Sequence, residues 1–317
     1  MGRNLFLGVL GASMLAAAPL RAAEIEAPGP GGPLRGTLVE GGANAPVVLI
    51  LPGSGPTDRN GDNPLGVRAA PYRRLAEALA QRGVTSVRID KRGLFGSAAA
   101  VPDANAVTLD DYVHDAETWI AAIRARTGAA CVWLLGHSEG GLIALAAQHA
   151  DGVCGLVLVA TPGRRLADGL KAQMRAALAN GPLLEKIDRT IDRLAAGERI
   201  AAADLPAPVA PLFAPELQGY MASVLPRDPA RMIADARRPV LILQGTRDLQ
   251  VGVADAEALH RAAPRATLKL LPDVNHVLKV VESDDRAANV AAYADPDRPL
   301  APGIAEAVAA FVTTATF

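Results

Sequence analysis

The chain has 317 residues, half of them hydrophobic, and a net charge of -1 at pH 7. A chain of this length can bury one large α/β core or two small ones. The balanced charge argues against a nucleic-acid partner, which would require a basic patch or stripe, and no block of like charges indicates a disordered tail. Aromatic residues make up only 3% of the chain, so we expect an aliphatic interior and a substrate pocket with aliphatic walls.

Residues 1–23 are typical of a secretory signal peptide. Arg3 supplies a positive charge, an uncharged and mostly apolar run extends from Leu5 to Ala18, and small residues end at Ala23, where a peptidase could cut. The apolar run is shorter than the ~20 residues that span a bilayer, so we expect no stable membrane anchor. The alternative is an apolar N-terminal helix that stays on the protein. The pattern favours export to the periplasm or the medium.

The rest of the chain alternates predicted strands with predicted helices. A Gly/Pro-rich stretch at 27–36 leads to an early strand at 38–39. Continuous apolar runs, which are typical of parallel strands covered on both faces, then predict strands at 46–51, 84–89, 131–135, 155–159, 239–243 and 266–271. Helical periodicity predicts helices at 72–81, 108–126, 140–149, 254–261 and 304–312, the second of them capped by Thr108. This alternation predicts an α/β fold with a mostly parallel sheet flanked by helices.

One segment, 164–238, interrupts this rhythm. It contains helical patterns at 166–178, 183–194 and 217–225, separated by proline-rich turns, and no strand pattern. Its wealth of Leu, Ile and Met favours a folded insertion over a linker. Because it lies between two predicted strands, we expect a helical cap at 164–238, with the core formed by 24–163 and 239–317.

The segment Gly136-His137-Ser138-Glu139-Gly140 matches the pattern G-x-S-x-G. A predicted strand precedes it and a predicted helix follows, which is the context that a nucleophile elbow requires. In such an elbow the turn is so sharp that side chains in place of Gly136 and Gly140 would collide with neighbouring backbone. The alternative is an ordinary glycine-rich turn between a strand and a helix. The context predicts that Ser138 is a catalytic nucleophile.

A serine hydroxyl needs an adjacent base, and His276 is the best placed of the five histidines. His137 lies beside the serine and is expected to point away from it. Three histidines lie in predicted helices: His114, His149 and His260. Only His276 lies in a loop after a strand, and this loop leaves the sheet edge at which Ser138 is expected.

The acid that orients the base should come from the end of another strand, and Asp248 fits this position. It follows the predicted strand 239–243 by a few residues. Asp273 is a local rival, but it lies too close in sequence to His276 to approach from a separate strand. The resulting order Ser, Asp, His is the one found in α/β-hydrolases. The alternative for Asp248 is a solvated surface aspartate.

An acyl-transfer site also needs two N–H donors for a developing oxyanion. One is the backbone of Glu139, directly after the proposed nucleophile. The second is expected from Ser54, in a loop of small residues after the strand 46–51, with Gly53 or Gly55 as its neighbours. Farther along the chain, we interpret 58–61 as a turn, with a rim of the substrate pocket as the alternative. We interpret 88–97 as a salt-bridged turn that braces the site.

No pattern of metal ligands is present, so we expect no metal and no cofactor. The histidines are scattered, no H-E-x-x-H occurs, and the two cysteines lie too far apart in sequence for a zinc knuckle. Cys131 and Cys154 each open an apolar run. A disulfide, which an oxidising periplasm would permit, and two buried thiols remain equally open.

Together these motifs resemble bacterial α/β-hydrolases of the serine aminopeptidase-like branch, identified as carboxylesterases. The resemblance runs from about Val47 to the C-terminus, through the segments 52–61, 90–93, 136–141, 244–248 and 275–279. It implies an eight-stranded sheet, a helical cap after the sixth strand, hydrolysis without a cofactor, and a triad of Ser138, Asp248 and His276. The chain departs from the pattern at Pro52-Gly-Ser-Gly, where many relatives have His-Gly-Gly, which leaves the second oxyanion donor and the substrate open.

The sequence therefore predicts a carboxylic ester hydrolase that acts on small to medium acyl esters through an acyl-enzyme. One alternative is an exopeptidase, which would need a carboxylate in the cap to hold a substrate ammonium; the candidates are Glu185, Glu198 and Glu216. A second alternative is a non-catalytic binding protein with the same fold, against which an intact triad argues. The oligomeric state is left open.

Overall fold

An eight-stranded sheet forms the centre of the protein. The computed structural model describes residues 21–178 and 181–315, so the predicted signal peptide lies almost wholly outside the described residues. The strands are β1 (Ala22–Ala27), β2 (Leu34–Val39), β3 (Val47–Leu51), β4 (Thr85–Ile89), β5 (Val132–His137), β6 (Val153–Val159), β7 (Val240–Gly245) and β8 (Thr267–Leu271).

The strand order is β1-β2-β4-β3-β5-β6-β7-β8. β2 pairs antiparallel with both β1 and β4, whereas every pairing from β4 to β8 is parallel. The predicted mostly parallel sheet of eight strands is thereby confirmed. Because parallel strands all end at the same edge, the loops that follow β3, β5, β7 and β8 meet there.

Helices cover both faces of the sheet. They are α1 (Pro71–Ala80), α2 (Leu109–Thr127), α3 (Glu139–Ala146), α4 (Leu166–Ala177), α5 (Gly181–Ala195), α6 (Gln218–Val224), α7 (Pro229–Ala234), α8 (Val253–Ala262), α9 (Arg286–Ala291) and α10 (Ile304–Thr314). Within the described residues, none of these helices is long and apolar enough to cross a membrane.

Alternate residues of each central strand point into two separate hydrophobic clusters. In β3, Leu49 and Leu51 pack with α2, α3 and α8, whereas Val48 and Ile50 pack with α1 and α10. All five residues of β3 are buried, which explains why the strand is a continuous apolar run rather than an alternating one.

The helix predicted from Thr108 is confirmed, because Thr108 and Asp111 form a reciprocal capping box and Gly128 ends the helix with a left-handed backbone. The helix predicted at 140–149 is shorter than expected. It ends at Ala146, so His149 lies beyond it on the surface. The full β1–β2 hairpin and the short helices α7 and α9 were not predicted, because each is too short or too exposed for a strong hydrophobic period.

The segment 164–238 holds helices α4 to α7 and lies between β6 and β7. Its described residues include no strand. Part of it has a hydrophobic cluster of its own, centred on Ile187, Ile191 and Phe213. By contrast, Val224 in α6 and Ile233 in α7 belong to the same hydrophobic cluster as Leu49 and Leu51 of β3. The end of the segment is therefore packed onto the core.

A disulfide joins Cys131, just before β5, to Cys154 in β6, with Cα atoms 5.2 Å apart. Of the two alternatives left open by the sequence, the structure therefore contains the bond. The bond links the starts of the paired strands β5 and β6. The predicted nucleophile lies at the opposite end of β5.

Candidate active site

Ser138 occupies the sharp turn between β5 and α3. Its backbone has φ of 54° and ψ of −120°, a positive-φ conformation that non-glycine residues rarely adopt. The Ser138 N–H donates to the carbonyl of Val159 at 2.9 Å, which holds the turn against β6. The side chain is therefore carried at the carboxyl edge of the sheet by a constrained backbone.

The glycines that flank this turn leave no room for side chains. A Cβ on Gly136 would lie 2.1 Å from the carbonyl oxygen of Gly140, and a Cβ on Gly140 would lie 2.1 Å from the carbonyl oxygen of Leu51. Both partners are backbone atoms, which cannot move aside. The glycines are thus required because β5, α3 and the end of β3 pass each other at close range.

The structure brings His276 and Asp248 together. Nδ1 of His276 lies 2.8 Å from Oδ2 of Asp248, and their side chains are 7% and 1% exposed. Oδ1 of the same carboxylate accepts the N–H groups of Gln250 and Val251 at 2.8 and 2.9 Å. Burial alone would raise the pKa of Asp248, but His276 and these donors outweigh it and hold the pKa below its usual range. An ionised Asp248 can only accept a hydrogen bond, so Nδ1 of His276 carries the shared proton.

Asp273, the rival acid, does not contact His276. Its carboxylate pairs with Arg247 at 3.1 Å and is 44% exposed. Its own N–H donates to the hydroxyl of Thr246 at 2.9 Å. The loop therefore turns Asp273 away from the base, as its position in the same loop had predicted.

His137 and Tyr72 form a buried chain of hydrogen bonds behind Ser138, which the sequence did not reveal. The N–H of Gly53 donates to the Tyr72 hydroxyl at 3.0 Å, and this hydroxyl lies 2.8 Å from Nδ1 of His137. Nε2 of His137 lies 2.8 Å from the carbonyl oxygen of His276. The rings of His137 and His276 also touch, with centroids 4.7 Å apart. The chain thus links the loop after β3 to the loop that carries the predicted base.

The donors and acceptors of the hydrogen bonds among Gly53, Tyr72 and His137 follow from the protons that these groups carry. Because the Tyr72 hydroxyl accepts from Gly53, its own proton is free to go to Nδ1 of His137, so Nε2 carries the ring proton and donates to His276. A second proton on the His137 ring would occupy Nδ1 and leave the proton of the Tyr72 hydroxyl without this acceptor. Burial, and then the neighbouring His276, lower the pKa of His137 to about 3. His137 is therefore neutral at pH values near 7.

The loop after β3 lies beside Ser138. A Cβ on Gly53 would be 3.4 Å from Cβ of Ser138, so the backbone passes at van der Waals distance. The Gly53 N–H is already used by Tyr72, whereas within 21–178 and 181–315 the N–H groups of Ser54 and Glu139 donate to no protein acceptor. These are the two groups that the sequence predicted as oxyanion donors.

As predicted, 58–61 forms a turn and 88–97 carries salt bridges. In 58–61, the Asp58 carboxylate accepts the Asn60 N–H at 2.7 Å. Asp90 receives two bonds from the Arg59 guanidinium, both at 2.8 Å, and the Arg92 guanidinium binds buried Asp115. These ion pairs fix the turns on either side of the sheet edge.

The carboxylates considered for an exopeptidase lie on the surface of the inserted segment. Glu185 and Glu198 pair with arginines of their own neighbourhood and are 76% and 51% exposed, and Glu216 is exposed as well. In the part of the chain that the structure describes, no group of three or more His, Cys, Asp or Glu side chains could hold a metal ion.

The low pKa of His137 predicts a specific loss of stability in acid. An unfolded histidine titrates near ~6.5, whereas folded His137 stays neutral until about pH 3. Between these values the unfolded chain binds one proton more, so the free energy of unfolding falls by ~1.4 kcal/mol per pH unit as the pH is lowered. His137→Gln removes this proton, so its unfolding free energy should fall less steeply between pH 6 and 4. Urea titrations of both proteins measure the difference, and parallel pH dependences would contradict the assignment.

Comparison with known proteins agrees with this architecture. The sequence profile of the alpha/beta hydrolase family matches residues 47–293. Esterase EstD of Thermotoga maritima is 27% identical over 246 residues, which is 76% of this chain and 57% of that protein. The chain therefore spans little more than half of the length of this relative.

Solved structures show the same fold at low sequence identity. An esterase of Pyrococcus furiosus superposes with a TM-score of 0.56 at 17% identity, over 85% of this chain and 87% of its own. A bromoperoxidase of Bacillus anthracis gives 0.53 at 18% identity, over 92% of this chain and all of its own. Their names differ in the reaction, so the shared fold does not choose one. From the profile match over most of its length and the elbow geometry, this chain belongs to the alpha/beta hydrolase family.

Proposed function

We propose that the protein is a serine hydrolase that cleaves small to medium carboxylic esters through an acyl-enzyme. The observation that carries the proposal is that the constrained turn of Ser138 lies at the same sheet edge as a buried, hydrogen-bonded pair of His276 and ionised Asp248. The esterase name of the Thermotoga relative supports the choice of ester over other substrates. Glu185 and Glu198, two of the carboxylates considered for a peptide substrate, are exposed and already pair with arginines.

In acylation, Oγ of Ser138 attacks the ester carbonyl carbon while Nε2 of His276 takes the hydroxyl proton. Asp248 holds the other ring proton and stabilises the imidazolium that forms. The carbonyl oxygen becomes an oxyanion, which accepts hydrogen bonds from the N–H groups of Ser54 and Glu139. When the tetrahedral intermediate collapses, His276 returns its proton to the leaving alcohol and the acyl group stays on Ser138.

Deacylation repeats these steps with water as the nucleophile. Nε2 of His276 takes a proton from the water, whose oxygen attacks the acyl carbon. Collapse of the second intermediate breaks the bond to Ser138, and the serine recovers its proton from His276. The carboxylic acid leaves and the residues return to their first state, so the cycle requires only the substrate and water.

We also propose that the segment 164–238 is a cap that shapes the acyl pocket. Its α4 contacts the loop of the acid, because the Gln173 amide donates to the Gln250 carbonyl at 3.1 Å, two residues after Asp248. Its α6 packs against the core through Tyr220, whose ring meets Tyr112 at a centroid distance of 5.9 Å.

Hydrogen exchange tests the cap without altering the protein. After reaction with an alkyl fluorophosphonate, amides of α4 and α6 should exchange more slowly, because an adduct on Ser138 fills the space beneath them. Mass spectrometry of peptides from labelled and unlabelled protein measures the change. Protection confined to 24–163 and 239–317 would show that the segment lies away from the site.

We further propose that the protein is exported and that the mature chain begins at Ala23 or Glu24. The N-terminal pattern supports this, as does the disulfide, since such bonds persist in oxidising compartments. A cut there keeps Glu24, whose carboxylate pairs with Arg59 at 2.7 Å. N-terminal sequencing of protein from the periplasm or medium should find these residues, and an intact Met1 on exported protein would refute the proposal.

Ser138→Ala should abolish ester hydrolysis while leaving the fold intact. Removal of the nucleophile is expected to lower kcat by ~10⁴-fold or more, because the remaining groups cannot form the acyl-enzyme. Turnover of short p-nitrophenyl esters measures the loss, and circular dichroism and melting temperature serve as folding controls. A folded variant with near wild-type kcat would end the proposal.

Asp248→Asn and Asp273→Asn form a matched pair that tests the acid. In Asp248→Asn the new side-chain amide can donate to His276 instead of accepting, which favours the wrong tautomer and should lower kcat by up to ~10⁴-fold near neutral pH. Asp273→Asn should change kcat little, because Asp273 binds Arg247 and not the base. The two kcat values are measured on one short ester. The reverse outcome would reassign the acid and leave Ser138 and His276 in place.

A further inference from the structure

Lys91 lies behind the loop after β3 and is almost fully buried, with 4% of its side chain exposed. Its ammonium donates to the carbonyl oxygen of Gly53 at 2.9 Å and lies 3.5 Å from the carboxylate of Glu139. It also lies 5.3 Å from the centre of the Tyr112 ring, a distance at which cation and ring attract each other. One cation thus joins the two chain segments that carry the proposed oxyanion donors.

The carbonyl that Lys91 binds belongs to the same peptide group as the N–H of Ser54. This peptide is trans, so its C=O and N–H point in opposite directions. A bond that fixes the carbonyl towards Lys91 therefore fixes the N–H of Ser54 on the far side, away from the ammonium. Tyr72 holds the preceding N–H, that of Gly53, at 3.0 Å. The orientation of the Ser54 N–H is thus set by contacts on both sides of Gly53.

The positive charge also changes the strength of this donor. A hydrogen bond from an ammonium draws electron density towards the carbonyl oxygen, which makes the N–H of the same peptide a better donor. The effect is greatest away from water, and Lys91 is buried. Burial lowers the pKa of Lys91, while the carboxylate of Glu139 opposes that change and favours the charged form. An apolar side chain would fill the space without the cost of burying a charge, which argues that the charge has a use.

We propose that Lys91 is a positioning residue for ester hydrolysis: it orients and polarises the Gly53–Ser54 peptide so that the Ser54 N–H stabilises the oxyanion. The carboxylate of Glu139 holds the ammonium in place, so one side chain links both donors. This inference rests on the proposed function.

Lys91→Met tests the proposal, because it keeps most of the side-chain volume and removes the charge. Loss of a whole oxyanion donor costs about 10²- to 10³-fold in kcat, and a weakened donor should cost less, about 10- to 100-fold. KM for a short p-nitrophenyl ester should stay within about twofold, since the donor acts in the transition state. Lys269→Met, on the exposed side of β8, is the matched control and should leave both constants unchanged.

A trifluoromethyl ketone separates this role from a merely structural one. Addition of Ser138 to such a ketone leaves an oxyanion in the proposed hole, so its inhibition constant should rise in Lys91→Met by the same factor by which kcat falls. A lower melting temperature with kcat and the inhibition constant unchanged would overturn the proposal. If wild-type protein lacks a reactive Ser138, the proposed function itself fails; if Ser138 reacts and Lys91→Met behaves as wild type, only this inference fails.

Glu139→Gln provides a second test should Lys91→Met not fold. It keeps the backbone N–H and the side-chain size but removes the carboxylate that favours charged Lys91. Tyr112 from α2 faces the ammonium, and Tyr220 from α6 packs against Tyr112. Asp115 lines the same small cavity as Lys91 but already binds Arg92. As the pH is raised, kcat of the variant should fall at a lower pH than kcat of the wild type, because Lys91 loses its proton at a lower pH without the carboxylate. Identical alkaline limbs would contradict the role of Lys91.

Discussion

The close approach of three backbones at Ser138 is the constraint on which the candidate site depends. β5 ends, α3 begins and β3 passes within a distance that admits no side chain at Gly136 or Gly140. The positive φ of Ser138 costs on the order of 1–3 kcal/mol. The packing of the neighbouring strands on both of their faces offsets this free-energy cost, because relaxing the turn would separate those strands. The position of the serine on the sheet edge is therefore fixed, and the loops after β3, β7 and β8 lie around it.

Buried polar groups hold the surrounding loops to this fixed point. Tyr72, His137 and Lys91 each bind a backbone group of a site loop, and none of them is expected to touch substrate. Buried polar groups stabilise a single arrangement only when their hydrogen bonds are satisfied. In this site the bonds run from the loop after β3 to the loop of His276, so the proposed oxyanion donor and the proposed base are positioned by one connected network.

Much of this arrangement follows from the sequence because parallel strands end at one edge. That rule, with the apolar runs, predicts the sheet and favours Asp248 over Asp273 as the acid. The network behind the serine could not be predicted in this way. Tyr72 is 65 residues from His137, and Lys91 is 38 residues from Gly53. A single polar residue at a helix start or in a turn belongs to no periodic pattern that would reveal its partner. The disulfide could not be predicted either, because it requires that two particular strands be neighbours in the right register.

The most direct test of the account is to locate the reactive residue chemically. Wild-type protein is treated with a fluorophosphonate, and intact mass and peptide mapping then identify the modified site. The account predicts one adduct per chain, on Oγ of Ser138, at a rate that falls sharply when His276 is replaced by Gln. An adduct on another residue, or ester hydrolysis by protein in which Ser138 stays unmodified, would contradict it.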